Sequence, residues 1–139
     1  MISGSCLCGN VRYEYSGVVG AITVCHCSHC RKAQGTSNVI AAPVAAAQLR
    51  WLSGAESIAE YESSPGKKRA FCRQCGAPLY SRRDGAPALL RLRMGTIDTP
   101  TDLMPAAHIF AANVPGWAQL DDDLPRYDQL EPARSQPAC

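Results

Sequence analysis

Cys25-His26-Cys27-Ser28-His29-Cys30 puts three cysteines into six residues. Two further groups stand on either side of it: Cys6-Leu7-Cys8 near the start, and Cys72-Arg73-Gln74-Cys75 past the middle. Seven of the eight cysteines fall in these three groups; the eighth, Cys139, ends the chain. A disulfide framework favours spread cysteines and an exported chain. Zinc favours close pairs, because two thiolates about one turn apart can share an ion at ~2.3 Å. The opening residues, Met1 to Cys6, show no basic region followed by an apolar run, so no secretory signal is read there. Seven clustered cysteines in such a chain read as zinc ligands, with a cytoplasmic location expected.

Seven divides into four and three. A structural zinc site closes with four ligands, whereas a catalytic one holds three and keeps an open position. Cys72-x-x-Cys75-Gly76 reads as a zinc knuckle that lacks two ligands. Cys6 and Cys8, on the same side of an extended segment, can supply them. Cys25, Cys27 and Cys30 then form the second site, provided the chain turns after Cys27. His26 should point away from its neighbours. The fourth position is either open to water or a substrate thiol, or filled by His29, His108 or another group. Three thiolates quench the Lewis acidity of zinc and suit a soft sulfur ligand better than hydroxide. Thiol chemistry is therefore expected over hydrolysis.

Composition bounds the rest. With 139 residues the chain is one domain's length. A hydrophobic fraction of 46% against 19% charged argues for a folded core. The net charge of +2 is too small to suggest a nucleic-acid or membrane partner. No stretch of about 18 apolar residues exists to span a bilayer.

Short strand signals recur every 8–12 residues, so the expected fold is mainly β: one domain of short antiparallel strands in packed sheets, stapled by zinc. Strands are expected over 10–15, 21–24, 37–44, 57–62 and 107–112, with Leu49 to Leu52 leading into a turn at Ser53-Gly54, Lys67 to Phe71 entering the knuckle and Pro78 to Ser81 leaving it. Arg31 to Gln34 reads as a helical turn ended by Gly35. Leu90, Leu92 and Met94 alternate with Arg91 and Arg93, which predicts a strand with one dry face and one solvated basic face. Trp51 and Trp117 are read as core residues, His108 as a strand residue, and Cys139 as a tail thiol. The domain is expected over 1–128, with 129–139 as a flexible tail.

The order Gly4-Ser5-Cys6-Leu7-Cys8-Gly9, Cys25-His26-Cys27-x-x-Cys30-Arg31-Lys32, and Arg69-Ala70-Phe71-Cys72-x-x-Cys75-Gly76-x-Pro78-Leu79-Tyr80 resembles the glutathione-dependent formaldehyde-activating enzyme family, which includes centromere protein V. Gly95-Thr96-Ile97-Asp98 and Trp117 with Asp122-Asp123-Leu124-Pro125 look like the family's closing motifs. The resemblance implies two zinc ions: Cys6, Cys8, Cys72 and Cys75 on a structural one, and Cys25, Cys27 and Cys30 on a catalytic one. It also implies a carbon–sulfur lyase that joins a small aldehyde, formaldehyde, to a thiol such as glutathione. Arg31 and Lys32, just after the last ligand, are candidates for holding a substrate carboxylate. A non-catalytic zinc-built binding module and a thiol redox protein are the rival readings.

Overall fold

The computed structural model describes residues 1–132 and 134. Among the described residues, ten strands and one α-helix run in the order β1 (Ile2–Ser5), β2 (Arg12–Tyr15), β3 (Thr23–Cys25), α1 (Ser28–Gln34), β4 (Val39–Ala45), β5 (Leu49–Ser53), β6 (Ile58–Ser64), β7 (Lys67–Cys72), β8 (Pro78–Arg83), β9 (Leu89–Arg93) and β10 (Ala107–Ile109). They form a three-stranded sheet, β1-β2-β5, and a seven-stranded sheet, β10-β3-β4-β9-β8-β7-β6. All pairings are antiparallel except β10 with β3. Among the described residues, no helix is long and apolar enough to cross a membrane.

The fold class agrees with the β-rich expectation, and its strands follow the alternation of apolar and polar side chains. Tyr13 and Tyr15 of β2, Ala42 and Val44 of β4, Leu49 of β5, and Leu90 and Leu92 of β9 bury together in one cluster drawn from both sheets. Trp51 packs edge-on to Tyr13 with ring centroids 5.8 Å apart, and lies tilted at the same distance from Tyr80. Its reading as a core residue holds. Trp117 does not join it: the residue is 71% exposed. It lies after β10, in a segment with no strand or helix to press its ring onto a sheet.

One contact ties the small sheet to the large one. Thr96 donates its hydroxyl proton to the Arg93 carbonyl at 2.8 Å, so it accepts from the buried Tyr13 hydroxyl, also at 2.8 Å. Gly4 bridges to Ile97 directly above this pair. A Cβ at Gly4 would collide with the Tyr13 ring and the Thr96 carbonyl. The glycine is there for close approach, not for an unusual backbone angle.

The chain past β10 packs back on the large sheet. Phe110 N–H donates to the Gln129 carbonyl at 2.9 Å, Ala111 N–H donates to Tyr127, and Tyr127 and Leu130 pack against the Cys25–Cys27–Cys30 cluster. Of the segment expected as a tail, residues 133 and 135–139, Cys139 included, lie outside the described residues.

Replacing Gly4 by alanine should destabilise the chain by about 1–3 kcal/mol, the usual cost of overpacking a close contact. Denaturant unfolding of the reduced protein, wild type against Gly4→Ala, measures it.

Candidate metal and thiol site

Four sulfurs meet between the sheets. Cys6, Cys8, Cys72 and Cys75 have Sγ atoms all within 4.8 Å of one another. Cys6 and Cys8 lie 3.5 Å apart, and Cys8 and Cys72 4.0 Å. A tetrahedron of sulfurs at ~2.3 Å from zinc has edges of about 3.8 Å, so the donor set and its spacing fit such an ion. Two tight turns hold it. Gly9 N–H donates to the Cys6 carbonyl and Gly76 N–H to the Cys72 carbonyl, at 2.9 and 2.7 Å. Both glycines have φ near +75°, a left-handed conformation that side chains resist. Cys6-Leu7-Cys8 is thus a turn, not the extended segment expected, and its sulfurs converge by folding over rather than by strand alternation. Val11 and Leu79 seal the inner side of the cluster.

Cys25, Cys27 and Cys30 form the second group, again with all Sγ atoms within 4.8 Å. Each comes from a different kind of position. Cys25 ends β3, Cys27 caps α1, and Cys30 is the buried residue of its first turn. The Cys27 sulfur accepts from Cys30 N–H at 3.3 Å, which folds the trio together. Helix α1 begins three residues earlier than expected and ends as expected, at Gly35, with φ +67°. No histidine or carboxylate joins the trio among the described residues. His29 is exposed.

His26 turns away, as predicted, and enters a buried relay. Its Nε2 lies 2.8 Å from His108 Nδ1, and His108 Nε2 lies 2.9 Å from Asp122 Oδ1. Asp122, held below the usual carboxylate range by the His108 bond, is an acceptor. His108 therefore donates through Nε2, and in its neutral form accepts at Nδ1 from His26 Nε2–H. Burial, then the facing His108, lowers the pKa of His26 and keeps it neutral. His108 is a strand residue, as read from sequence, but 3% exposed and committed to positioning the loop between two cysteines.

The sequence reading missed a buried basic face. Arg91 and Arg93 of β9 are not solvated: Arg93 is 4% exposed and Arg91 is half-buried. Register places Arg93 beside Ala41, and Ala41 beside Thr23, while Arg91 pairs with Ser81 and Ser81 with Arg69. Thr23 and Cys25, two apart on β3, share this face with Lys67 and Arg69 on β7. These residues enclose a cavity of about 30 Å³ that reaches Cys25 and Cys30. The face is covered because α1 and the segment through Leu130 fold over it. Arg69 donates to Cys30 Sγ at 3.8 and 4.0 Å from its two terminal nitrogens. A hydrogen bond from Cys25, with Arg69 and Arg93 nearby, draws the Cys30 pKa down to about 6 against the effect of burial. That bond and burial push Cys25 up, so the proton of the pair stays on Cys25. Burial lowers Arg91 and Arg93 to about 10, still cationic at neutral pH.

Of the sequence-proposed carboxylate contacts, Arg31 is half-buried on α1 with its Nε unpartnered, and Lys32 is exposed. Neither borders the cavity. On the other side of Arg69 and Arg93 lies a groove of about 310 Å³, walled by Tyr61, Phe71, Pro78 and Tyr80.

The profile of the glutathione-dependent formaldehyde-activating enzyme family matches residues 1–113. The chain belongs to this family. It is also similar to a crystal structure of a Rhodobacter sphaeroides protein, with a TM-score of 0.60 and 29% identity, over 72% of this chain and 91% of that one. A comparison with curated proteins finds no match.

Two outcomes test the buried polar groups. His108→Ala leaves the His26 Nε2–H without its acceptor and should cost about 1–3 kcal/mol in denaturant unfolding. Burial, then the charge of Arg69, lowers Lys67 to about 7 from 10.5. Between those values the unfolded chain binds the extra proton, so this group's contribution to stability rises with pH. Lys67→Met should raise the melting temperature at pH 7, and its advantage over wild type should shrink by pH 9.

Proposed function

We propose that this chain is a zinc-dependent, carbon–sulfur lyase-type enzyme that joins a glutathione-like thiol to a small aldehyde such as formaldehyde, or releases the two from their adduct. The observation that carries the reading is the trio of Cys25, Cys27 and Cys30, whose three Sγ atoms all lie within 4.8 Å of one another, close enough to share one ion. Cys6, Cys8, Cys72 and Cys75 form the closed structural zinc site. Family membership supports both assignments. The cytoplasm, where thiols stay reduced, is the proposed location.

Zinc bound by the trio would lower the pKa of a thiol placed at its open position. The rest is the work of the chain. Arg69, donating to Cys30, draws charge from that sulfur, so the trio gives less negative charge to an ion than three bare thiolates would. The hydrogen bond from His26 to His108 fixes the loop that spaces Cys25 from Cys27. The groove beside Arg69 and Arg93 has room for the body of the substrate. Arg31 and Lys32 directly follow Cys30 on α1 and would serve a distal carboxylate. In the reaction the thiol sulfur bonds to the carbonyl carbon, the S–H proton ends on the carbonyl oxygen, and no redox partner is required. Cys27 is disulfide-bonded in this structure, so that bond must be reduced before all three cysteines can ligate as thiolates.

The reduced protein should carry two zinc ions by native mass spectrometry. Cys27→Ser should keep the structural ion and lose at least about 100-fold in adduct formation from glutathione and formaldehyde. Equal activity in the two proteins would reject the mechanism. A single ion per chain, with a disulfide cycle at the trio, would favour the redox reading. Two ions with a cobalt-substituted spectrum indifferent to thiols would favour a binding module.

A further inference from the structure

The basic cavity beside the trio is not explained by holding an ion and a thiol. Lys67, Arg69, Arg91 and Arg93 face it, and Arg134 closes one side. The carboxylate paired with this group is Glu131, which bonds Arg134 at 2.6 Å. A zinc on three thiolates adds a formal charge of only −1. The positive charge is therefore in excess, and it is desolvated. Among the described residues, Arg93 Nε and Arg91 Nη1 are buried without hydrogen-bond partners. A buried guanidinium with unmet donors is costly unless an acceptor arrives.

The size of the cavity limits what that acceptor is. About 30 Å³ holds roughly two water-sized groups, the two oxygens of a carboxylate. Guanidinium donors suit that planar, two-oxygen geometry. The same cavity is bordered by Cys25 and Cys30, so a sulfur at the trio and a carboxylate on the arginines lie within the span of one short molecule.

We propose that the cavity receives a carboxylate of the substrate thiol, on Arg91 and Arg93, so that the preferred thiols carry a carboxylate two or three carbons from sulfur. This deepens the thiol-site reading above and rests on it. Recognition is double: soft sulfur at the trio, hard oxygens on the arginines. A thiol without the carboxylate leaves the donors unmet and binds less well. The groove on the far side of Arg69 and Arg93 takes whatever extends from the molecule.

The test is calorimetric binding to the reduced, zinc-loaded protein. The probes are 3-mercaptopropionate, 2-mercaptoethanol, glutathione and propionate. Wild type should bind 3-mercaptopropionate at least about tenfold more tightly than 2-mercaptoethanol, the worth of one charge-assisted contact. Propionate, which has no sulfur, should bind weakly but measurably. Arg91→Met and Arg93→Gln should each erase the preference for 3-mercaptopropionate over 2-mercaptoethanol. Circular dichroism and zinc content identify any variant that has not folded, and Arg91, the less buried of the two, keeps the test open if Arg93→Gln fails. Equal affinity for the two small thiols in wild type, or a preference that survives both variants, would overturn the carboxylate site while leaving the thiol site standing. Binding of propionate with no response to any thiol would reject the thiol site and keep the anion site. No binding of any probe would overturn both.

Discussion

Cys6 and Cys8 meet Cys72 and Cys75 across 64 residues of chain. That junction sets how the two sheets relate. The first pair follows β1 of the small sheet, and the second runs from the last residue of β7 into the turn before β8 of the large one. Closing so long a loop costs conformational entropy. Four thiolates on one ion would repay it, and the four sulfurs are spaced to hold one. Val11 and Leu79 pack around the cluster, so the staple and the small core between the sheets reinforce each other.

With the sheets held, strand alternation does the rest. On β9, Leu90 and Leu92 enter the shared core and Arg91 and Arg93 leave on the opposite face. Pairing across β8 to β7, and across β4 to β3, carries that opposite face to Arg69 and Lys67 on one side and to Cys25 on the other. The basic residues and Cys25 thus share one surface of one sheet, with Cys27 and Cys30 brought to it by α1. Covering it with α1 and the returning C-terminal segment turns a charged surface into a desolvated cavity, where each positive charge acts more strongly on Cys30 than it would in water. The neutral state of His26 follows from burial, whereas the low pKa of Cys30 comes from the Cys25 hydrogen bond and the nearby arginines, against burial.

The trio is held from two directions. The capping bond from Cys30 N–H to Cys27 sulfur comes from α1, while the His26–His108–Asp122 relay reaches back to β10 and the loop beyond it. The parallel pairing of β10 with β3 brings His108 beside Val24, next to the cysteines. The short helix and an otherwise peripheral strand are therefore both part of the site's support, and this accounts for two buried histidines that ligate nothing in the described groups.

Cysteine spacing was legible because ligand geometry is local: close pairs and a C-x-C-x-x-C run mark sulfurs that can share an ion whatever the fold around them. Strand alternation was equally readable, and with it the β-rich class, Gly35 as the helix end and the outward turn of His26. What Arg91 and Arg93 do was not readable, since alternation says only that they oppose the leucines, not whether water or protein covers that side. The same limit put Trp117 in the core, where the structure leaves it 71% exposed. Burial depends on contacts between segments far apart in the chain. Here Ala111 with Tyr127, and Thr23 with Ala41 and Arg93, decided it, and only the tertiary structure brings those segments together.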